Sequence, residues 1–104
     1  MFRVIFAIHR KEGLTREQFA EHWLERHAPL VRALPGVRRY TQCLVTGSAG
    51  LLAPEADGIS VLDFDSELDY RAADASPQMQ AAHDDAVTLV SRVEAYFTEP
   101  HEVP

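Results

Sequence analysis

Two side chains that can move a proton or polarise an oxygen, His27 and Tyr40, stand on either side of a Leu-Pro-Gly break in the chain. Imidazole can donate or accept a proton near neutral pH, which makes histidine the commonest general acid or base in enzymes. A tyrosine hydroxyl can donate a hydrogen bond to a carbonyl or carboxylate oxygen of a ligand. The pair indicates proton-transfer chemistry; a core histidine and an aromatic side chain packed across strands are the structural alternatives.

The residues around His27 predict an amphipathic helix that points this histidine inward. Thr15 and Gln18 are spaced as a capping box, so the helix is expected to begin at Arg16. His27 falls inside the apolar stripe of that helix, whereas His22 falls on the other side and is expected to be solvated. The stripe consists of Phe19, Trp23, Leu30 and Leu34.

Pro29 interrupts the helical pattern two residues after His27. A proline has no N–H to donate to the preceding turn, so it frees the carbonyl near residue 25 and loosens the helix beside the histidine. Trp23 lies about one turn before His27 and is expected to form an apolar wall of the same site. These neighbours favour a histidine at the edge of a pocket.

Two further histidines are candidate ligand contacts. His9 ends the first predicted strand, where a side chain can meet a ligand. His83 shares a helix face with Met79 and could approach the same pocket; a hydrogen-bonded interior histidine is the alternative. The adjacent Asp84 and Asp85 could orient a histidine, but a solvated acidic surface is the preferred interpretation.

No metal site or cofactor is predicted. The five histidines show none of the HxH, HxxxH or HExxH spacings. On an α-helix, His22 and His27 would point about 140° apart. The one cysteine, Cys43, sits in mid-strand and is expected to be buried rather than nucleophilic. The GSAG stretch lacks the lysine of a phosphate-binding P-loop.

The composition is that of an ordinary soluble domain and argues against several kinds of partner. A formal net charge of −6 disfavours nucleic acid. No segment approaches the ~20 apolar residues of a membrane helix, and the apolar run at the chain start is too short for a signal peptide. We expect one cytoplasmic domain over residues 1–104.

The hydrophobic pattern predicts the element order β-α-β-β-α-β, which is the split βαβ pattern of ferredoxin-like α+β proteins. The first helix is expected to end at the Leu-Pro-Gly break. The second helical region is expected over residues 67–89, with an interruption at Ser76-Pro77. Strands are expected over residues 2–9, 37–46, 59–66 and 93–99, with a loop over 46–58.

This element order gives an antiparallel sheet with both helices on one face. Residues 4–8, VIFAI, are apolar at both odd and even positions, so both faces of this strand are apolar, and the same holds for several residues of the third strand. The sheet face away from the helices is therefore also apolar and needs a cover. A second copy of the chain would provide it, so we expect a homodimer whose sheets face each other.

The stretch FAEHWLERHAPLVRALPGVRRY, residues 19–40, resembles the signature of EthD-type proteins, small members of the dimeric α+β barrel superfamily. The later Phe64-Asp65-Ser66 is similar to the strand-to-helix junction of that family, and the element order agrees over residues 2–99. The matching positions of the signature are Phe19, Trp23, His27 to Leu30, Leu34 to Gly36 and Tyr40.

The resemblance implies a two-subunit barrel with a pocket in each subunit, between the sheet and the end of the first helix. The wider superfamily includes muconolactone-type isomerases, aromatic polyketide cyclases, cofactor-free monooxygenases and haem-binding enzymes. In its methylmuconolactone-isomerising members, a histidine and a tyrosine at the positions of His27 and Tyr40 belong to the active site. A cysteine that those members carry on the third strand is replaced here by Leu62, a departure from the pattern of that isomerisation.

We therefore expect an enzyme that needs no cofactor and performs isomerisation, lactone rearrangement or cyclisation on a small, apolar, oxygenated molecule. His27 would move the proton, and Tyr40 would polarise an oxygen. The alternatives are a dimeric module that binds a hydrophobic ligand or haem without turnover, and a cofactor-free monooxygenase. The expected substrate-binding residues are Trp23, His9, Leu62, Phe64 and His83.

Overall fold

The predicted order of strands and helices is present in the computed structural model, which describes residues 1–50 and 56–104. The strands are β1 (Phe2–Arg10), β2 (Arg39–Leu44), β3 (Gly58–Phe64) and β4 (Val90–Thr98). The helices are α1 (Arg16–Glu21), α2 (Ala28–Arg32), α3 (Glu67–Asp74) and α4 (Pro77–Val87), and a π-helical segment, His22–His27, joins α1 to α2. The strands form one sheet in the order β2-β3-β1-β4 with every neighbouring pair antiparallel, which confirms the α+β, ferredoxin-like fold.

The first helix begins at Arg16, as the capping box predicts. The Gln18 N–H donates to the Thr15 hydroxyl at 3.1 Å, and the Thr15 N–H donates to the Gln18 side-chain oxygen at 2.9 Å. Leu14 packs against the buried cluster that contains Phe19. These contacts fix the direction in which the helix leaves β1.

The loosening expected beside His27 takes the form of a π-helical turn. The N–H of Ala28 donates to the carbonyl of Trp23, five residues back, rather than to the residue four back. Pro29 follows immediately and has no N–H with which to restore the α-helical ladder in this turn. The Trp23 carbonyl also accepts a hydrogen bond from the side-chain amide of Gln42, at 2.9 Å, which ties the π turn to β2.

Several predicted boundaries differ from the observed ones. Strand β4 begins three residues earlier than predicted. Arg10 pairs with Val90 and His9 pairs with Arg92, so Ser91 forms a bulge. The bulge breaks the alternation of apolar and polar residues on which the prediction rested. The Ser91 hydroxyl lies within hydrogen-bonding distance of both the His9 and the Arg10 carbonyl. The loop predicted over 46–58 includes residues 51–55, which lie outside the described residues.

The core lies between the sheet and the helices. Even-numbered residues of β1, such as Val4 and Ile8, face the helices, and their partners on β3 and β4 face the same way. One buried cluster contains Val31, Leu34, Leu62, Phe64, Ala73 and Ala82. A second contains Ile8, Phe19, Trp23 and Leu89.

Among the described residues no helix packs on the opposite face of the sheet, as the sequence pattern indicated. Its centre is apolar and partly exposed, and Tyr96 on β4 is exposed beside it. Arg3 and the buried Asp63 close one end of this face through two hydrogen bonds, of 2.6 and 2.9 Å, which hold the pKa of Asp63 below its ordinary value. Cys43 lies on this face and is exposed, so the expectation that it is buried was wrong. The central residues are Ile5, Ala7, Ile59 and Val61.

Gly58 brings β3 directly against the fully buried ring of Trp23. A methyl group on Gly58 would lie 2.6 to 2.9 Å from three carbons of that ring, whereas a methyl group on Gly47 would meet no atom within 4 Å. The ring cannot move aside, because it stacks on Phe19 with 5.4 Å between ring centroids.

We predict that Gly58→Ala lowers the free energy of unfolding by about 1–3 kcal/mol, the usual range for an overpacked core. Gly47→Ala is the matched control and should change it by less than about 0.5 kcal/mol. Chemical denaturation monitored by circular dichroism measures both values. Equal stability of the two variants would show that Trp23 does not pack against Gly58 in solution.

Candidate active site

A cavity of about 280 Å³ opens between the sheet and the helices, on the side where His27 and Tyr40 were expected to meet. Its wall is mostly apolar and includes Phe6, Ile8, Val31, Leu34, Met79 and Val90. Five of the predicted site residues also line it: His27, Tyr40, Trp23, Leu62 and His83. A concave, mostly apolar space with a few polar groups is the usual form of a small-molecule site.

His27 is held in the cavity wall by a carboxylate from another helix. Its Nδ1 lies 2.8 Å from Oδ2 of Asp85 on α4, and the residue is 8% exposed. A carboxylate accepts hydrogen bonds, so Nδ1 carries the proton and Nε2 is left as the basic nitrogen of the neutral ring. No group among the described residues hydrogen-bonds to Nε2. The ring is thus oriented and leaves a free base in a residue that lines the cavity.

His22 binds the same carboxylate, contrary to the expectation that it is solvated. Its Nε2 lies 2.8 Å from Oδ1 of Asp85, and its side chain is 17% exposed. The expected 140° separation from His27 assumed α-helical geometry. In a π turn, hydrogen bonds join residues five apart, so residues i and i+5 come to lie on one face.

Asp85 is the residue of the candidate site that sequence reasoning missed, because Asp84 and Asp85 were interpreted as a solvated acidic surface. Burial alone would raise the pKa of Asp85, but the hydrogen bonds from His22 and His27 outweigh burial and hold that pKa below its ordinary value. One signal in the sequence could have identified it. Asp85 lies three residues after the buried Ala82 of α4 and four before the buried Leu89 that follows the helix, which is the spacing of one helix face.

Two polar groups in the cavity wall lack hydrogen-bond partners among the described residues: the hydroxyl of Tyr40 and the indole N–H of Trp23. Burial raises the pKa of Tyr40 to about 12, although the polar side chains of Ser60 and Gln42 act in the opposite direction, so the hydroxyl stays protonated as a donor. An unpaired buried donor costs about 1–3 kcal/mol. A ligand oxygen that accepted from either group would recover part of that cost.

The remaining predicted contacts lie at the edge of the cavity or outside it. His83 is exposed at the rim of the cavity, the pocket it was expected to approach, and the alternative of an interior histidine was wrong. His9 lies on the opposite face of the sheet, where its Nε2 is 2.6 Å from Glu94, because odd-numbered β1 residues point away from the helices. Phe64 is fully buried in the core and does not line the cavity.

Two further observations concern the part of the chain that the structure describes. Within it, no group of three or more His, Cys, Asp or Glu side chains is placed to hold a metal ion. None of its helices combines the length and apolarity that crossing a membrane would take.

Comparison with known proteins places the chain in a family. Residues 11–92 match the sequence profile of the EthD domain. An uncharacterised 11.0 kDa protein of Rhodococcus erythropolis, from the thcB-thcC intergenic region, is 33% identical over 86 residues, 82% of each chain.

Two solved structures share the fold. An EthD family protein of Bacillus halodurans superposes with a TM-score of 0.82 at 20% identity, covering 97% of this chain and 100% of that one. A dimeric ferredoxin-like protein of unknown function from Thermobifida fusca gives a TM-score of 0.71 at 23% identity, covering 93% of this chain and 88% of that one. With its own sequence matched over residues 11–92, this chain belongs to the EthD family.

Proposed function

We propose that this protein catalyses proton transfer on a small, apolar, oxygenated molecule, in an isomerisation, lactone rearrangement or cyclisation. The observation that carries the proposal is the hydrogen bond from His27 Nδ1 to Asp85, which leaves the basic Nε2 free in a residue of the apolar cavity wall. Polar side-chain atoms of buried residues usually have a hydrogen-bond partner, so an Nε2 without one among the described residues, in a residue that lines a cavity, suits contact with a ligand. Here one nitrogen is oriented and the other is available.

In the proposed reaction, Nε2 of His27 removes a proton from the carbon next to a ligand carbonyl. The electrons of the broken C–H bond move onto the carbonyl oxygen, which accepts a hydrogen bond from the Tyr40 hydroxyl. Where a carbon–carbon double bond flanks the deprotonated carbon, the electrons spread over a conjugated dienolate, and the imidazolium returns the proton to the far carbon of that system. The double bond moves, an isomer forms and the base is regenerated. Asp85 stabilises the imidazolium through Nδ1 and keeps the ring in one orientation.

The surroundings favour this chemistry. The mostly apolar wall lowers the local dielectric constant, which strengthens the interaction between the Tyr40 donor and negative charge that develops on the ligand. The high pKa of Tyr40 keeps its hydroxyl protonated across the physiological range. Asp85 remains charged because its pKa is held below the ordinary value, so it can balance a positive charge on His27.

We further propose that the protein works as a homodimer whose exposed sheet faces pack together. The apolar centre around Ile5 and Val61 has no cover among the described residues, and the Thermobifida fusca relative in fold is a dimer. The paired Arg3 and Asp63 would enter such an interface already satisfied.

The first prediction concerns turnover. A panel of enolisable ketones and lactones is incubated with the protein in D₂O, and deuterium incorporation is measured by mass spectrometry. His27→Gln should lower the exchange rate by about 10²–10⁴-fold, the typical contribution of a general base. Tyr40→Phe should give a smaller loss, because it removes one donor and keeps the ring.

His101→Gln is the control for the first prediction, since this histidine is exposed in the tail and contacts Glu99. It should exchange deuterium at the wild-type rate. A folded His27→Gln protein with full activity would end the catalytic interpretation. Tight binding of a panel compound by the wild-type protein, with no exchange into any compound, would instead identify a binding module.

The second prediction concerns Asp85. Its folded pKa lies below its ordinary value of about 3.9, so its contribution to stability is fully present above that value and is lost as the pH falls through the folded pKa. Asp85→Asn should therefore lower the free energy of unfolding by about 1–3 kcal/mol near pH 5, and by much less near pH 2.

Asp84→Asn is the matched control for the second prediction, because this exposed neighbour bonds only to Gln80 on the surface. It should change the free energy of unfolding by less than about 0.5 kcal/mol at either pH. Urea denaturation at both values of pH measures the differences. Equal effects of the two substitutions at pH 5 would contradict the contacts of Asp85 with the histidines.

The third prediction concerns assembly. Light scattering coupled to size exclusion should show a dimer at micromolar concentration. Val61→Asp, at the centre of the exposed sheet face, should shift the protein toward monomer, because a charge would have to be buried without a partner. Val87→Asp is the control, an exposed position at the end of α4 that should leave the dimer intact. A monomeric wild-type protein would overturn the dimer.

A further inference from the structure

We infer that the cavity selects a neutral carbonyl compound, an apolar ketone or aldehyde, and rejects carboxylates of the same shape. This inference rests on the proposed function, since it specifies the substrate of the same site. It comes from the charges and hydrogen-bond donors that surround the cavity, taken together.

The charge around the cavity is unsuited to an anion. Among the described residues, no lysine or arginine lines it, and the sequence of residues 51–55, LLAPE, contains neither. Asp74, at the rim, is the acidic side chain among the described lining residues, and Asp85 contacts His27. His83 also lies at the rim, where it is exposed, so solvent screens any positive charge on it. If His27 becomes protonated, its positive charge already faces Asp85 at 2.8 Å. A ligand carboxylate would lose its hydration without gaining a cation.

The hydrogen-bonding groups of the wall nevertheless require an oxygen from the ligand. The Tyr40 hydroxyl and the Trp23 N–H are buried and make no hydrogen bond of good geometry among the described residues, although the polar side chains of Ser60 and Gln42 lie near the hydroxyl. The hydroxyl of the buried Ser60 belongs to the same wall, on the strand next to Tyr40. A neutral carbonyl oxygen accepts one or two hydrogen bonds and carries no charge that must be balanced. Donors without cations therefore favour a ketone over a carboxylate.

The apolar part of the cavity wall determines which molecular frame can carry the carbonyl group. Phe6, Ile8, Val31 and Val90 offer hydrocarbon surface and no polar partner for hydroxyl groups on the ligand body. With about 280 Å³ available, a substituted ring or a short chain fits better than an extended polar molecule. The ligand class is therefore a compact hydrocarbon frame bearing one carbonyl group.

A pair of matched probes tests the charge discrimination directly. 4-Propylacetophenone and 4-propylbenzoate have nearly the same shape, but one ends in a neutral acetyl group and the other in a carboxylate. Trp23 is the only tryptophan of the chain and lines the cavity, so its fluorescence reports occupancy. At pH 7 we expect the ketone to bind at least about tenfold more tightly than the benzoate.

Two variants separate the causes. Asp74→Asn removes the negative charge at the rim and should strengthen benzoate binding by about two- to fivefold, while ketone binding stays the same. Tyr40→Phe should weaken ketone binding by about three- to tenfold, because the carbonyl loses a donor. Near-ultraviolet circular dichroism establishes that each variant keeps its packing.

The possible results are distinct from those that test the proton-transfer reaction. Benzoate binding as tight as ketone binding would overturn the charge inference and leave the reaction standing. Preferred binding of the ketone, without deuterium exchange into any ketone or lactone, would overturn the reaction and support the neutral-ligand pocket. Failure of both probes to bind would overturn the inference.

Discussion

The arrangement of the site depends on one carboxylate that accepts hydrogen bonds from two histidines across a π-helical turn. Asp85 reaches from α4 to His27 and His22, at 2.8 Å each, and so joins the second half of the chain to the first. The two histidines can meet one carboxylate because the π turn aligns residues five apart. An α-helix over the same residues would carry His22 away from Asp85 and leave His27 with a less constrained ring.

The π turn is itself held from two sides, and both restraints serve the cavity. The side-chain amide of Gln42, on β2, donates a hydrogen bond to the Trp23 carbonyl in the π-helical segment. Because β2 also carries Tyr40, this bond directly links the strand of Tyr40 to the helical segment that contains His27. On the other side, Gly58 admits the Trp23 ring to within contact of β3. The apolar wall, His27 and the Tyr40 hydroxyl are therefore positioned by a few contacts between the sheet and the helices. The polar groups left unpaired there are those that a ligand would engage.

The fold could be predicted from the sequence because the signals for it lie in residues that are close together along the chain. The capping box at Thr15, the strand patterns and the element order each depend on neighbouring residues, and the structure confirms them. The site was predicted in part: His27, Tyr40, Trp23, Leu62 and His83 line one cavity. His22 was missed because its pairing with Asp85 depends on a helix type that hydrophobic periodicity does not reveal, whereas Asp85 was missed because two adjacent acidic residues were interpreted as a solvated surface. His9 was misplaced because a strand end does not tell which face of the sheet a side chain occupies.

The central claim is that His27, held through Nδ1 by Asp85, presents an unprotonated Nε2 to the cavity. Long-range ¹H–¹⁵N correlation spectra of histidine-labelled protein test it most directly, because they identify which ring nitrogen carries the proton. His27→Gln assigns the signal, and the spectrum is recorded at a pH where the ring is neutral. The account predicts the tautomer protonated at Nδ1, with the Nε2 resonance moving when a ketone occupies the cavity. A His27 ring protonated at Nε2 would contradict it, since Nδ1 would then have no proton to donate to Asp85.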